Sequence, residues 1–391
     1  MKTTSGKMKH HLKNTMNEVD MDAMIQQMMD QAQKKYDELK ILNVMVLGKT
    51  GVGKSTLINN MFSAHLAETG VGKPVTKAIQ KFEKPGFPLA IYDTPGLELD
   101  GSNALEQLLE DVTAIVKSGR KSGDVNQMIH CLWYCIATPS HRFESAEIEF
   151  LRRVSSLSGA EKMPVIVVLT QSYSKRDAEA MQEAVEAEKL DVIDVIPVLA
   201  ESFVIDEAFP AILPYGLDSL AEVTYRVIPE EVREAFVVVG RDLALKKKQA
   251  RRLVATAAAA AAGIGAVPIP GPDAAILIPE QISMLAGITV IYGMDFHKSD
   301  VIAVIGPLLA TITGRTIVAE LPKLIPGAGT AAGSVISAAT AASLTSALGE
   351  TTIIILEKMA KGEIHPEDLK NKKGVKAIKK FFFDQLKQFK R

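Results

Sequence analysis

The 391-residue sequence predicts an α/β domain, a mainly parallel sheet wrapped by helices, followed by an all-helical domain. Three observations carry this. Short apolar runs alternate with helical periodicity up to about residue 228, the pattern of repeated strand–helix units. A glycine-rich string, Gly48-Lys49-Thr50-Gly51-Val52-Gly53-Lys54-Ser55, joins one such run to a helical segment. Beyond residue 228 the one β-like run, TTIIIL at 351–356, reads equally as a continued helix.

Residues 1–40 form an extension whose basic first twenty residues lead into no apolar run, so no secretory signal is read. From about Asp20 to Lys40, Met21, Met24, Ile25 and Met28 recur at helical spacing, an adaptable stripe suited to packing. The run ILNVMVL at 41–47 suits a buried central strand. Strand candidates follow at 89–94, 129–137, 163–170 and 194–200, separated by helical patterns at 103–118, 143–157 and 175–190. The α/β domain therefore spans 41–228. Residues 229–391 read as helical, with an Ala-rich segment at 253–269, an uncharged stretch at 324–349, and Pro- and Gly-rich turns at 267–273 and 321–329.

A net charge of −1 gives no global attraction to nucleic acid, and no aromatic stacking module is visible, so nucleic acid is not read as a partner. Cys131 and Cys135 are too few for a disulfide framework and lack neighbours for a zinc site. They read as buried thiols in a reducing, cytoplasmic setting.

The string at 48–55 fits G-x-x-x-x-G-K-[ST], whose chemistry is polyphosphate binding. Gly48, Gly51 and Gly53 let backbone N–H groups turn toward phosphate oxygens, and the helix that follows favours an anion at its N-terminus. Lys49, Thr50, Val52 and Thr56 complete the candidate cradle. Lys54 is placed to reach the β- and γ-phosphates, and the Ser55 hydroxyl to bind Mg²⁺. Asp93-Thr94-Pro95-Gly96 follows at a strand end. Asp93 is the candidate carboxylate for the metal, through water, and the Gly96 N–H the candidate sensor of a γ-phosphate. Between these lies Gly72–Lys77, where Thr76, with Thr69 as the competing choice, is the hydroxyl expected on Mg²⁺ only while a γ-phosphate is bound. Lys54 and Thr76 are thus the catalytic candidates.

GKTGVGKST and DTPG resemble the translation-factor-related P-loop GTPases, in their Era-like and septin-like branches, over about residues 41–228. The stretch 261–293 is similar to the YcjF-type helical domain of unknown function. In outline, the pairing resembles immunity-related GTPases and other dynamin-like proteins. The resemblance implies a G domain, GTP and GDP as ligands, Mg²⁺ as cofactor, and a cytoplasmic switch. Three departures qualify it. The counterpart of the NKxD base motif is Thr170-Gln171-Ser172-Tyr173, and Tyr173 cannot accept two hydrogen bonds from guanine; Asp177 is a substitute by position. The other base-side element is Leu199-Ala200-Glu201-Ser202, where backbone at Ala200 and Glu201 would face the guanine oxygen. Leu97 stands where Ras-like members carry a water-orienting glutamine. Hydrolysis is then slow, by about 10³–10⁵ for a missing device of this kind, unless a backbone group, a homodimer partner or an activating protein supplies it. Gly51 stands where some Era-like members place an asparagine that recruits K⁺, so K⁺ stimulation is not expected. A non-hydrolysing nucleotide-binding module and an ATP-using or promiscuous NTPase stay open as alternatives.

In the helical half, windows 253–272 and 324–349 are long and uncharged enough to cross a membrane. Their Ala, Ser and Gly content favours a buried hairpin instead. Lys246-Lys247-Lys248 with Arg251-Arg252, and a C-terminus from Lys370 to Arg391 with nine Lys or Arg and one Asp, supply positive charge. The second mixes Phe381, Phe382, Phe383, Leu386 and Phe389 with lysines. That pattern reads as a membrane-surface helix, making the protein peripheral, or as a docked helix with a solvated basic face.

Overall fold

The computed structural model describes residues 22–63, 71–76, 79–94, 104–157, 162–206, 208–265, 278–293, 298–313 and 338–389. The chain divides into two units. One is Leu39–Asp242; the other joins the segment up to Glu38 with Leu243–Arg391.

In the first unit, seven strands form one sheet: β1 (Leu42–Leu47), β2 (Val71–Pro74), β3 (Gln80–Glu83), β4 (Leu89–Asp93), β5 (Cys131–Ala137), β6 (Val165–Thr170) and β7 (Asp194–Pro197). Their order is β2-β3-β4-β1-β5-β6-β7. The five strands from β4 to β7 run parallel, while β3 pairs antiparallel with both β2 and β4. Helices α2 (Lys54–Met61), α3 (Ala104–Ser122), α4 (Ser145–Ser155), α5 (Lys175–Ala187), α6 (Leu217–Val227) and α7 (Glu230–Val239) belong to this unit.

Period-two alternation sends successive strand residues to opposite faces. Met45, Leu47, Leu132, Tyr134, Val167 and Leu169 join one core with Val112 and Val116 of α3, Phe150 and Val154 of α4, and Met181 and Val185 of α5. On the other face Trp133 stacks on Phe62 at 5.7 Å, and Phe236 of α7 meets Phe62 edge-on at 6.2 Å. The Trp133 indole N–H donates to Thr224 of α6 at 3.1 Å. This packing moves the expected domain boundary. α7 buries Val232, Ala235, Phe236 and Val239 in the α/β unit, so that unit runs to Asp242 rather than 228.

The strands β2 and β3 escape the sequence reading. Both are four residues long and carry Lys73, Pro74, Lys81 and Glu83, the composition of a blunted sheet edge rather than an apolar run. The Gly72–Lys77 segment, expected as a loop, therefore begins as strand.

The second unit contains α1 (residues 22–37), α8 (Leu243–Gly265), α9 (Ile278–Ile291), α10 (Lys298–Thr313), α11 (Ala338–Ala360), α12 (Pro366–Leu369) and α13 (Lys372–Gln388). The N-terminal helix thus groups with the helical half, burying Ile25, Met28 and Ala32, an i, i+3, i+7 stripe. TTIIIL is the buried centre of α11. α8 and α11 approach closely because small residues face each other: a methyl added to Gly349 would lie 2.4 Å from a Val254 methyl. Lys247–Glu357 at 2.8 Å and Arg251–Glu350 at 3.0 Å cross the same helix pair. Lys246 is buried and donates to the Ile291 carbonyl at the end of α9 at 2.6 Å. Much of the basic cluster at 246–252 is therefore engaged within the fold, although Lys248, Arg251 and Arg252 are exposed. Among the described residues one helix, α11, is long and apolar enough to cross a membrane, and 67% of its apolar window is buried in this unit. Of the two expected windows, residues 266–272 and 324–337 lie outside the described residues.

His130 is buried just before β5 and accepts from the Asn43 N–H at 2.9 Å through Nδ1, with Nε2 3.0 Å from the Val125 carbonyl. Burial pushes its pKa down to about 4. The folded state holds it neutral, whereas the unfolded imidazole protonates near 6.5. Its stabilisation is complete above that value and is lost as pH falls toward 4, on the order of 3 kcal/mol. Urea denaturation should show this decline for the wild-type protein, and His130→Asn, which keeps an acceptor at the Nδ1 position, should flatten it between those pH values. Equal slopes in the two proteins would contradict the assignment. In the helical unit, Gly349→Leu should cost about 2 kcal/mol or more through overpacking against Val254, read as a lower thermal midpoint; an unchanged midpoint would show that α8 and α11 can separate freely.

Candidate functional site

The carboxyl ends of β1, β4, β6 and β7 carry the segments the sequence singled out. β1 pairs with β4 on one side and β5 on the other, so the order of strand connection reverses there, the usual place for a ligand in an open α/β sheet.

After β1 the chain turns through Gly48 (φ 144°), Gly51 (φ 77°) and Gly53 (φ 94°) before α2 begins at Lys54. Gly48 must be glycine for a second reason: a methyl there would sit 2.4 Å from the Cys135 carbonyl oxygen. The loop thus lies directly on β5. Lys54 is buried, and its ammonium donates back to the carbonyls of Gly48 at 2.8 Å and Lys49 at 3.0 Å. It spans the loop it follows, a cation held at the start of a helix whose first turn has no acidic residue. Ser55 is exposed beside it and Thr56 half-buried.

Two further contacts fix the loop from outside. Thr170, at the end of β6, donates its hydroxyl to the Val52 carbonyl, and the Gln171 amide donates to the Gly51 carbonyl at 2.8 Å. Gln171 holds φ at 52°, an uncommon conformation for a side-chain-bearing residue. Lys49 pairs with Glu144 at 2.6 Å and Glu147 at 3.6 Å at the start of α4. Burial opposes the charge on Lys49, but the Glu144 hydrogen bond and the charges of both glutamates leave its pKa raised. Glu147 is buried and its pKa rises mainly through desolvation. Sequence reasoning missed this brace; Glu144 and Glu147 form a capping box at the start of α4, and only the fold brings that helix end against Lys49.

Asp93 ends β4. One carboxylate oxygen, Oδ1, is buried without a hydrogen-bond partner, as is the Thr94 hydroxyl. Desolvation raises the Asp93 pKa, and the Lys54 charge draws it back. No cluster of three or more His, Cys, Asp or Glu side chains suited to a metal occurs among the described residues. A cation here would have one carboxylate, a hydroxyl and ligand oxygens, the donor set that suits Mg²⁺ on a phosphate. The orphaned Asp93 oxygen fits that need. Thr76 lies in the turn between β2 and β3, its hydroxyl accepting from the Ile79 N–H at 3.0 Å. Thr69, Gly96 and Leu97 lie outside the described residues.

Beside the phosphate loop opens a cleft of ≈ 110 Å³, lined by Gly53, Thr56 and Leu57, by Thr170, Gln171 and Tyr173, and by Val198 to Phe203. The two base-side elements expected from sequence, with Ala200 and Glu201 in the second, are therefore brought together with the start of α2. Asp177 is not among the lining residues; it lies in the first turn of α5, where its N–H is capped by Ser174. Cys135, behind the loop, is held protonated by burial, its pKa pushed up to about 12, which removes it as a nucleophile.

Residues 43–171 match the family described as 50S ribosome-binding GTPase. The chain is 26% identical over 227 residues to septin-9 of Mus musculus, a match covering 51% of this chain and 38% of that protein. It is 26% identical over 204 residues to human septin-12, covering 46% of this chain and 54% of the relative. The chain thus spans about half or less of the length of these septins. Among solved structures it is similar to a dimerization-deficient mutant of Toc33 from Arabidopsis thaliana, at 18% identity and a TM-score of 0.31, covering 56% of this chain and 92% of that one. A bacterial selenocysteine-specific elongation factor, EF-Sec, matches at 16% identity and a TM-score of 0.29, covering 48% of this chain and 29% of that chain. The first unit has a G-domain fold, a mostly parallel sheet wrapped by helices with a P-loop after β1, and is similar to these GTPases.

Gly48→Ala should destabilise this unit by about 2 kcal/mol or more, since both the backbone conformation and the Cys135 carbonyl exclude a methyl. Chemical denaturation checks this; an unchanged midpoint would mean the loop does not rest on β5 as described.

Proposed function

We propose that this P-loop GTPase domain binds GTP and GDP with Mg²⁺ and hydrolyses GTP slowly, as a cytoplasmic nucleotide switch. The observation that carries the reading is the Lys54 ammonium held on the Gly48 and Lys49 carbonyls while, near it, a buried Asp93 oxygen lacks a partner. The backbone of residues 48–56 wraps the phosphates, Lys54 neutralises the β- and γ-oxygens, and Ser55 and Asp93 hold the metal, directly and through water respectively. When bound, Mg²⁺ neutralises charge developing on the phosphate oxygens. A triphosphate draws the turn that bears Thr76, whose hydroxyl accepts from the Ile79 N–H, toward the metal, and loss of the γ-phosphate releases it. Leu97 offers no hydrogen bond to an attacking water, which supports a slow intrinsic rate raised by a second protein chain.

The helical domain supplies an output surface. On α13, Gly374, Ile378, Phe382 and Leu386 are buried, so its apolar face is docked within its own unit. Lys372, Lys373, Lys376, Lys379, Lys380 and Lys387 are exposed. At about 100° per residue these six fall in a sector of roughly 120° on the opposite side. Each lysine near an anionic leaflet contributes about 1 kcal/mol, which supports a peripheral, salt-sensitive membrane contact. The resemblance of 261–293 to the YcjF-type domain adds no ligand to this reading.

Lys54→Ala should abolish GTP and GDP binding by the full chain in calorimetry, and Asp93→Asn should weaken the Mg²⁺ dependence of binding. Retained affinity in Lys54→Ala would exclude the site. Phosphate release that never exceeds the Lys54→Ala background would favour a non-hydrolysing nucleotide module. For the membrane contact, the full chain should sediment with vesicles rich in phosphatidylserine at low salt and not at high salt. Changing the six lysines to glutamate should abolish that; sedimentation unaffected by salt and by these changes would refute an electrostatic surface.

A further inference from the structure

We propose that Glu201 selects guanine in this cleft, taking the role of the aspartate that is missing after Thr170-Gln171. The inference rests on the nucleotide site proposed above. Glu201 is the one acidic residue among those lining the cleft, whereas Asp177, the substitute suggested by sequence position, is not a lining residue. The segment that bears Glu201 is tied to the turn that follows β6. Leu199 exchanges two backbone hydrogen bonds with Tyr215, each at 3.0 Å. The Tyr215 hydroxyl donates to the Ser172 carbonyl at 2.8 Å, and Ser172 donates its N–H to the Val198 carbonyl at 3.2 Å. The Tyr173 and Phe203 rings lie 4.0 Å apart, closing one wall of the cleft with an apolar surface suited to a purine face. The residue that cannot replace the aspartate's pair of acceptor oxygens therefore contributes ring surface, and the carboxylate is supplied from the segment after β7.

The chemistry is directional. Guanine presents two adjacent donors, N1–H and the N2 amino group, and a carboxylate accepts both. Adenine presents the bare N1 there, whose lone pair a carboxylate repels. Hydrogen bonds to a charged group are the strong kind, so this pairing separates the two bases by roughly tenfold to a hundredfold. Xanthine keeps N1–H but replaces the amino group with a carbonyl. A carboxamide, with one acceptor and one donor, complements that edge.

The test is displacement of a fluorescent GDP from the full chain with Mg²⁺, using GTP, ATP and XTP as competitors. The wild-type protein should prefer GTP. Glu201→Gln should lose roughly tenfold to a hundredfold in GTP affinity and gain XTP binding. Glu201→Ala should lose the GTP preference without that gain, and Asp177→Asn should leave it unchanged. A gain in XTP binding cannot come from a misfolded protein. If Glu201→Gln keeps the wild-type order of affinities, if Asp177→Asn produces the switch, or if the wild-type protein prefers ATP, the role of Glu201 is overturned while the site stands. If the wild-type chain binds none of these nucleotides, or Lys54→Ala binds them as well as wild type, the underlying site reading falls and the proposal with it.

Discussion

A buried ammonium that has to be held next to the ligand it serves is the constraint around which the G domain is arranged. Lys54 is satisfied by two carbonyls of its own loop, Gly48 and Lys49, and those carbonyls face it only because the backbone turns through left-handed glycine conformations. The loop in turn is fixed from three sides: by β5 beneath Gly48, by Thr170 and Gln171 on the Val52 and Gly51 carbonyls, and by the Lys49 ion pairs with α4. None of these contacts is large singly. Together they leave a pre-shaped, positively charged loop at a helix N-terminus, so little ordering remains to be done when an anion arrives.

The same contacts tie the phosphate side to the base side. Thr170 and Gln171 end β6, bond the phosphate loop and line the neighbouring cleft, so one short turn serves both. Ser172, one residue on, is buried and held by the Thr138 hydroxyl at 2.8 Å and by Tyr215. A hydrogen-bonded path therefore joins the cleft to the loop. Asp93 adds an electrostatic deficit at the site, a buried oxygen with no partner, while the Lys54 charge draws its desolvation-raised pKa back down.

Much of this was legible in the sequence because it is written in local signals. The glycine–lysine–serine string, the apolar runs of β1 and β4 to β7, and the helical stretches after them follow from period and composition alone. What stayed hidden depends on tertiary pairing. β2 and β3 are short, charged edge strands that only their partners define. α7 reads as part of a helical domain until Phe236 is seen against Phe62. The basic run at 246–252 looks like a surface feature, yet Lys246 caps α9 and Lys247 and Arg251 pair across to α11, partners about a hundred residues away. The lysines of α13, by contrast, remain on a solvated face.

The account depends on residues 48–56 being the surface that meets a polyphosphate. Amide hydrogen exchange followed by mass spectrometry, on the full chain with and without Mg²⁺ and GDP, measures this without altering the protein. Strong protection of 48–57, accompanied by protection of 170–173 and 199–203, is the expected result. Exchange in 48–57 that is the same with and without nucleotide would contradict it.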